Sequence, residues 1–426
     1  MNASGRGGWL RVAALLAVLV SPLARAADRD ANELERLFRD GMTALQEDRL
    51  RSAIEAFQTI LASDPSLHRA RLELAVAYYR ALNYAEAQAL AQQVLDDPAT
   101  PPQVRVSILA FLAQVKADAE RLAVRHSWRA QLGLGGLYDN NVNVGPSSEI
   151  VTEAFRLAPG NTARSDNGLF LQAALSHTFN PGSRHMIGER AAEFLWQTQL
   201  SAYHRGYNHE SEFDLTVASL GTGPALVVLR HWRAALNLQL DYIELGGSPL
   251  ARFTSLNPLV TWQFRDGEFT LDGSVGRRDY DDDADSGREG DYRQLGVMLA
   301  HYYDNRRVAV QLGARHHDFE ADVAGYGSSG PEYYLAGQWR AWPRGQLHAR
   351  ISQRDLDYDG TDPVLTSQSR DDRDRRLLVG FSHQFAGGAF DKWRLNGDLL
   401  RTLNASNLDL YDYRRTQINL ALIRDF

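Results

Sequence analysis

The sequence predicts a multidomain α plus all-β chain: N-terminal α-helical repeats, then a C-terminal antiparallel transmembrane β-barrel of about 14 strands. Three observations predict it. From Trp128 to Phe426 the chain breaks into segments of roughly ten to thirteen residues in which apolar and polar residues alternate, separated by Gly-, Asp-, Asn- and Pro-rich turns. Residues 27–125 are rich in Ala, Leu, Glu, Gln and Arg with helical spacing, and they repeat. Residues 1–26 have the layout of an export signal.

In that first segment, Arg6 and Arg11 supply the positive flank, Val12 to Val20 an apolar run, and Ala24-Arg25-Ala26 a small-x-small cleavage site. The run is too short to cross about 30 Å of hydrocarbon. No later stretch has the length of a spanning helix, so insertion into a membrane must use strands. The chain has no Cys, which removes disulfides, thiolate metal sites and thiol nucleophiles. Its net charge of −7 argues against nucleic acid as a partner.

Residues 27–125 come next. Leu37, Gly41, Ala44, Ala53, Phe57, Ile60 and Pro65 follow the tetratricopeptide pattern, and Ala75, Tyr78, Ala87, Ala91, Val94 and Pro98 restate it about one 34-residue period later. Small residues let paired helices approach, and a third helix near 103–124 caps the stack. By resemblance to such modules, the first helix of each repeat lines a concave groove, and Phe38, Met42, Tyr79 and Arg80 are its candidate client-binding residues.

Fourteen candidate strands follow within 128–426, an even number, as a single-chain bacterial barrel requires. Short turns at 265–267, 304–306 and 342–345 alternate with longer links near 140–166, 281–290, 319–330 and 359–373. That sorting expects short periplasmic turns and longer external loops, with the repeats on the periplasmic side. One strand face is apolar, as in Leu236, Leu238 and Leu240 or Leu377, Val379 and Phe381, with aromatics towards strand ends. The other face is polar and predicts a wet lumen, with Gln197, Gln199, Asn237, Gln239, Asp241, His348, Arg350 and Arg354 as lining residues. The terminal Phe426 resembles the signal that such barrels present to their assembly machinery.

No catalytic or cofactor motif is present. Gly133 to Gly136 lacks the Lys-Ser/Thr of a phosphate loop, and no nucleophile elbow occurs. The acidic run Asp281–Asp285 reads as a solvated loop, and so does the alternation of Arg370, Arg373 and Arg375 with Asp371, Asp372 and Asp374. The expectation is therefore a chain that is not an enzyme and takes no cofactor or metal.

After the repeats comes Gly135-Gly136-Leu137-Tyr138-Asp139-Asn140-Asn141-Val142-Asn143. The segment Tyr138, Asp139, Asn141, Val142, Asn143 at the end of the first strand resembles the surface lipoprotein assembly modulator (Slam) family. In architecture the resemblance covers the whole mature chain. It implies an outer-membrane translocator that moves client proteins, surface lipoproteins or secreted haem- or metal-binding proteins, to the cell surface. Outer-membrane lipids, and barrel-assembly machinery reached through Phe426, would be the other partners. An exopolysaccharide-export pore with a repeat scaffold and a passive porin are the alternatives.

Overall fold

The computed structural model of the chain describes residues 28–152, 155–158, 160–364 and 368–426. The expected export signal at 1–26 lies outside them. The fold is a set of N-terminal helices followed by a closed antiparallel fourteen-strand barrel. Contacts divide the chain into two compact units. One holds the helices with residues 180–194 and 227–229; the other holds the rest of the barrel.

The helical unit has α1 (Asp28–Gln46), α2 (Leu50–Ser63), α3 (His68–Arg80), α4 (Tyr84–Asp96) and α5 (Pro102–Ala123). Repeat symmetry is written in the backbone. Asp48 and Leu82, 82 − 48 = 34 positions apart, both take φ of 64° at the turn between paired helices. The small positions do what close helix approach needs. Ala53, Ala75, Ala87 and Ala91 are fully buried, and a Cβ on Gly41 would crowd the Phe57 ring at 2.9 Å. Phe57, Leu50, Ile60, Val94 and Val115 form the largest sealed side chains. Each contributes about 1.5–3 kcal/mol by leaving water. Pro102 opens α5, where its missing N–H costs no helix bond.

One part of this unit comes from far along the sequence. Residues 184–187 and 190–193 form a hairpin. It caps α2, which has no side-chain cap of its own. The Leu50 amide donates to the Glu189 carbonyl at 2.7 Å, and the Ser52 amide to the Glu189 carboxylate at 2.9 Å. Arg184 donates to the Leu82 carbonyl at 2.6 Å, and Ala191 is buried in the helical core. Unpaired amides at a helix start favour a carboxylate by hydrogen bonding and by the helix dipole.

The barrel strands are β1 (His126–Asp139), β2 (Asp166–Phe179), β3 (Arg190–Tyr207), β4 (Leu215–Val228), β5 (Trp232–Leu245), β6 (Ser248–Phe264) and β7 (Gly267–Tyr280). The second half is β8 (Gly290–Tyr303), β9 (Val308–Ala321), β10 (Ser328–Trp342), β11 (Gly345–Thr361), β12 (Ser369–Gln384), β13 (Trp393–Ser406) and β14 (Tyr413–Asp425). Each pairs with its neighbours in sequence, and β1 closes the sheet on β14 from Gln131 opposite Asp425 to Asp139 opposite Gln417. All fourteen expected segments are strands, and several run longer than expected. The link between β5 and β6 is only Gly246-Gly247, both with positive φ (59° and 79°), which suits the tight turn of a twisted hairpin. β12 begins at Ser369, so the Arg/Asp alternation at 370–375 is strand, not loop.

Candidate functional site

The two faces of the barrel differ in chemistry. On one face exposed apolar side chains recur along each strand: Leu132 and Leu134, Leu236 to Leu240, Leu295 to Leu299, Leu377 and Val379, Ile418 and Leu420. Exposed Trp128, Trp262, Tyr303, Trp339 and Trp342 gather near the short-turn end. Fourteen-residue strands, at about 3.3 Å per residue and a tilt of about 40°, rise roughly 35 Å, enough to cross a bilayer core. A closed barrel with an apolar outer band spans a membrane, since closure leaves no unpaired backbone edge in lipid.

The opposite face is the inner wall, and it is charged. His317 meets the Glu332 carboxylate at 3.0 Å, and Arg350 reaches the same carboxylate at 3.0 Å. Asp374 takes Arg376 at 2.7 Å and Arg354 at 3.6 Å. Asp372 pairs with Arg370 and accepts from Asn404 at 3.1 Å. Arg350 also lies 3.9 Å from the Tyr334 ring, a cation–π contact. Here the expectation for 370–375 is corrected. Asp372 and Asp374 are buried, at 7% and 5% exposure, because strand parity turns them inward onto arginines. Only Asp371, Arg373 and Arg375 keep the exposed face.

The expected lining residues separate into groups. Arg350 and Arg354 share a cavity of about 200 Å³ with Glu332, Ser352, Asp374 and Arg376. His348 lies on the same strand face and pairs with Asp398 at 2.8 Å. Gln239 and Asp241 bond to each other at 2.9 Å, with Asn237 two residues before on the same face. Gln197 and Gln199 lie opposite Thr178 and Ser176, on the face that also carries Phe170 and Gln172. His348 and these five residues are all outside the arginine-lined cavity. Glu332, Asp374 and Arg376 are lining residues that the sequence reading missed. What brings them beside Arg350 and Arg354 is cross-strand register, which sets Glu332 and Asp374 opposite Arg354 and Arg376 opposite Ser352.

The segment 138–143 forms a latch at the end of β1. Tyr138 faces outward. Asp139 has no exposed surface and receives five donors. Arg415 contributes Nε at 3.0 Å together with an Nη2 contact; the Tyr207 hydroxyl and the Gln417 amide each donate at 3.0 Å, as does the Asn141 backbone N–H. Asn141, 1% exposed, donates to the carbonyls of Gly145 (2.8 Å) and Arg414 (3.2 Å). Val142 is buried with Leu137, Phe170 and Tyr207. Asn143 bonds the returning limb of its loop, donating to the Thr162 carbonyl and accepting from the Arg164 amide, both at 2.9 Å. The Asn140 carboxamide accepts from the Thr416 amide at 2.6 Å. The segment thus fastens the first strand to the last. Gly135, four residues before Asp139 on the same face of β1, leaves room for the Phe170 ring; a Cβ there would collide with it.

In the helical unit, the four candidate groove residues make internal contacts. Phe38 packs edge-on to Phe57 at 5.7 Å with the Arg69 guanidinium 4.3 Å above it, and Met42 packs against the core. The Tyr79 hydroxyl donates to Asp118, and Arg80 bridges to Asp48 and the Leu45 carbonyl. Burial, then the charges of Asp118 and Glu193, push the Tyr84 hydroxyl up to about 12, and burial raises Tyr79 in the same direction. Among the described residues no group of acidic or histidine side chains is placed to hold a metal.

A tetratricopeptide-repeat family model matches residues 44–115. No curated protein matches the chain. Among solved structures the chain is similar to OprD of Pseudomonas aeruginosa, at 10% identity over 70% of this chain and 95% of that one, TM-score 0.37. It is also similar to the anion-selective porin of Comamonas acidovorans, at 9% identity over 71% and 99%, TM-score 0.36. A third is OccAB3 of Acinetobacter baumannii, at 8% identity over 70% and 100%, TM-score 0.36. At these scores the likeness carries no inference, and the barrel stands on its own strand pairings.

Proposed function

We propose that the chain is an outer-membrane translocator whose repeats bind a client protein in the periplasm and whose barrel passes it to the surface, as the Slam-like segment 138–143 implies. The carrying observation is one chain that joins a tetratricopeptide unit to a closed barrel with a charged inner wall. Tetratricopeptide units are peptide-binding scaffolds with concave surfaces, and a small-solute pore has no use for one. The wall supports the same reading. Several of its arginines are matched by carboxylates at Glu332, Asp372, Asp374 and Asp139, while Arg205 and Arg278 lie over the rings of Tyr207 and Phe319. An export track for an anionic polysaccharide needs arginines left open to the polymer, and paired guanidiniums discriminate weakly by charge. A wall of alternating sign suits a polypeptide, which carries both.

The test compares the surface proteome of cells with and without the chain, by protease shaving. Loss of one or a few surface or secreted proteins, restored by the full chain, is the expected result. An unchanged surface proteome with reduced uptake of small polar solutes makes the chain a passive porin and overturns the proposal.

A further inference from the structure

Outward-facing charges are distributed unevenly around the barrel. On β7 to β9 the outward arginines are matched. Arg277 sees Asp279 at 2.9 Å and Asp291 at 3.6 Å, and Arg293 sees Glu320 at 3.2 Å and Asp318 at 3.6 Å. On β12 to β14 Arg373 is matched, but three others are not. Arg375, Arg401 and Arg414 all lie on the outward face, by parity with exposed Leu377, with exposed Leu399 and Leu403, and with exposed Ile418 and Leu420. Among the described residues no carboxylate lies within ion-pair distance of these three; Arg375 has the Gln353 carboxamide, at 3.0 Å, and a longer-range attraction to Asp355. Asp355 is already paired with Arg373 at 2.8 Å.

The register sets the spacing. Leu403 on β13 faces both Arg375 and Arg414, and Arg401 lies one row deeper, opposite Leu377 and Thr416. With strands about 4.8 Å apart and about 3.3 Å per residue, neighbouring arginines in this triangle have Cα atoms roughly 8–10 Å apart. Guanidinium stems can close that gap onto a single phosphate or a pair of them. The three stand in the long-loop halves of their strands, Arg375 and Arg414 in the row of Leu403 and Arg401 in the row of Leu377. A bare guanidinium there faces the boundary between acyl chains and headgroups, where it is costly unless it finds an anion.

We propose that Arg375, Arg401 and Arg414 bind the phosphate groups of a phosphorylated lipid in the leaflet at the long-loop end. The proposal rests on the outer-membrane reading, which makes that leaflet the outer one and its lipid a phosphorylated glycolipid. Planar guanidinium forks match phosphate oxygens bidentately, and acyl chains would lie along Leu377, Leu399 and Ile418.

The test is native mass spectrometry of the full-length protein in detergent, titrated separately with bisphosphorylated lipid A, with dephosphorylated lipid A and with inorganic pyrophosphate. Wild type is expected to retain bisphosphorylated lipid A at least tenfold more tightly than either other probe. Arg375→Gln/Arg401→Gln/Arg414→Gln is expected to lose at least tenfold, Arg401→Gln alone about threefold, and the matched control Arg277→Gln/Arg293→Gln nothing. Mobility of unheated samples on gels checks folding, and the single variant carries the test if the triple does not fold. Equal binding of dephosphorylated lipid A, equal binding of pyrophosphate, or no loss in the variants overturns the proposal. Failure of wild type to insert into vesicles would instead sink the membrane reading, and shows separately from lipid retention.

Discussion

Replacing Asp139 by Ala removes the acceptor at the centre of the β1–β14 latch. Its carboxylate has no exposed surface and takes donors from Arg415, Tyr207, Gln417 and the Asn141 N–H. Arg415, whose side chain is only 16% exposed, would be left as an uncompensated charge. Breaking a buried pair from one side costs about 3–5 kcal/mol. At about 2 °C per kcal/mol for a unit of this size, the melting temperature should fall by about 6–10 °C. Arg415→Leu should cost a similar amount, by orphaning Asp139. The double variant Asp139→Ala/Arg415→Leu should cost less than the sum by about 2 kcal/mol or more, since neither charge is then stranded. Urea unfolding in lipid vesicles, read by tryptophan fluorescence, gives all three values. Single losses below about 1 kcal/mol, or additivity within about 0.5 kcal/mol, would refute the reasoning.

Three further outcomes follow from other features. Glu189→Ala uncaps α2 and should destabilise the helical unit by about 1 kcal/mol, read as faster hydrogen exchange at Leu50 to Ala53 with the barrel unchanged. Gly135→Val must displace the Phe170 ring, costing about 1–3 kcal/mol of barrel stability, whereas the same change at Gly136, with no atom nearer than 4.0 Å, should be close to neutral. Tyr84 is raised to about 12 in the folded unit against about 10 when unfolded, so it supports folding below pH 10 and that support drains as pH rises through 12. Melts of the full chain between pH 9 and about 12 should show the helical transition falling, and Tyr84→Phe should flatten part of that fall.

Much of this was legible because strand parity is a local property. Alternation around Leu236 to Leu240 is enough to mark a strand and its outward face. The repeats were legible for the same reason, since Ala53, Phe57 and Ile60 recur in type at a fixed period. Pairing across the closure was not legible. Asp139 and Arg415 stand 276 positions apart, and only the register brings them together. Nor was the sense of Asp372 and Asp374. A run of alternating charge reads as solvated unless the strand is known to extend through it. The capping role of Glu189 was hidden because caps are sought next to the helix they serve, and this one comes from 137 positions away.

That distant cap has a practical and a biosynthetic consequence. The helical unit extends past residue 125, where the repeat pattern ends, to take in residues 180–194 and 227–229. As the chain emerges, α2 is synthesised long before the hairpin that finishes its first turn and supplies Ala191 to its core. The piece that completes the helical unit is delivered only after two barrel strands have been made. A recombinant fragment cut at residue 125 should melt early and become firmer when a peptide spanning 180–194 is added back.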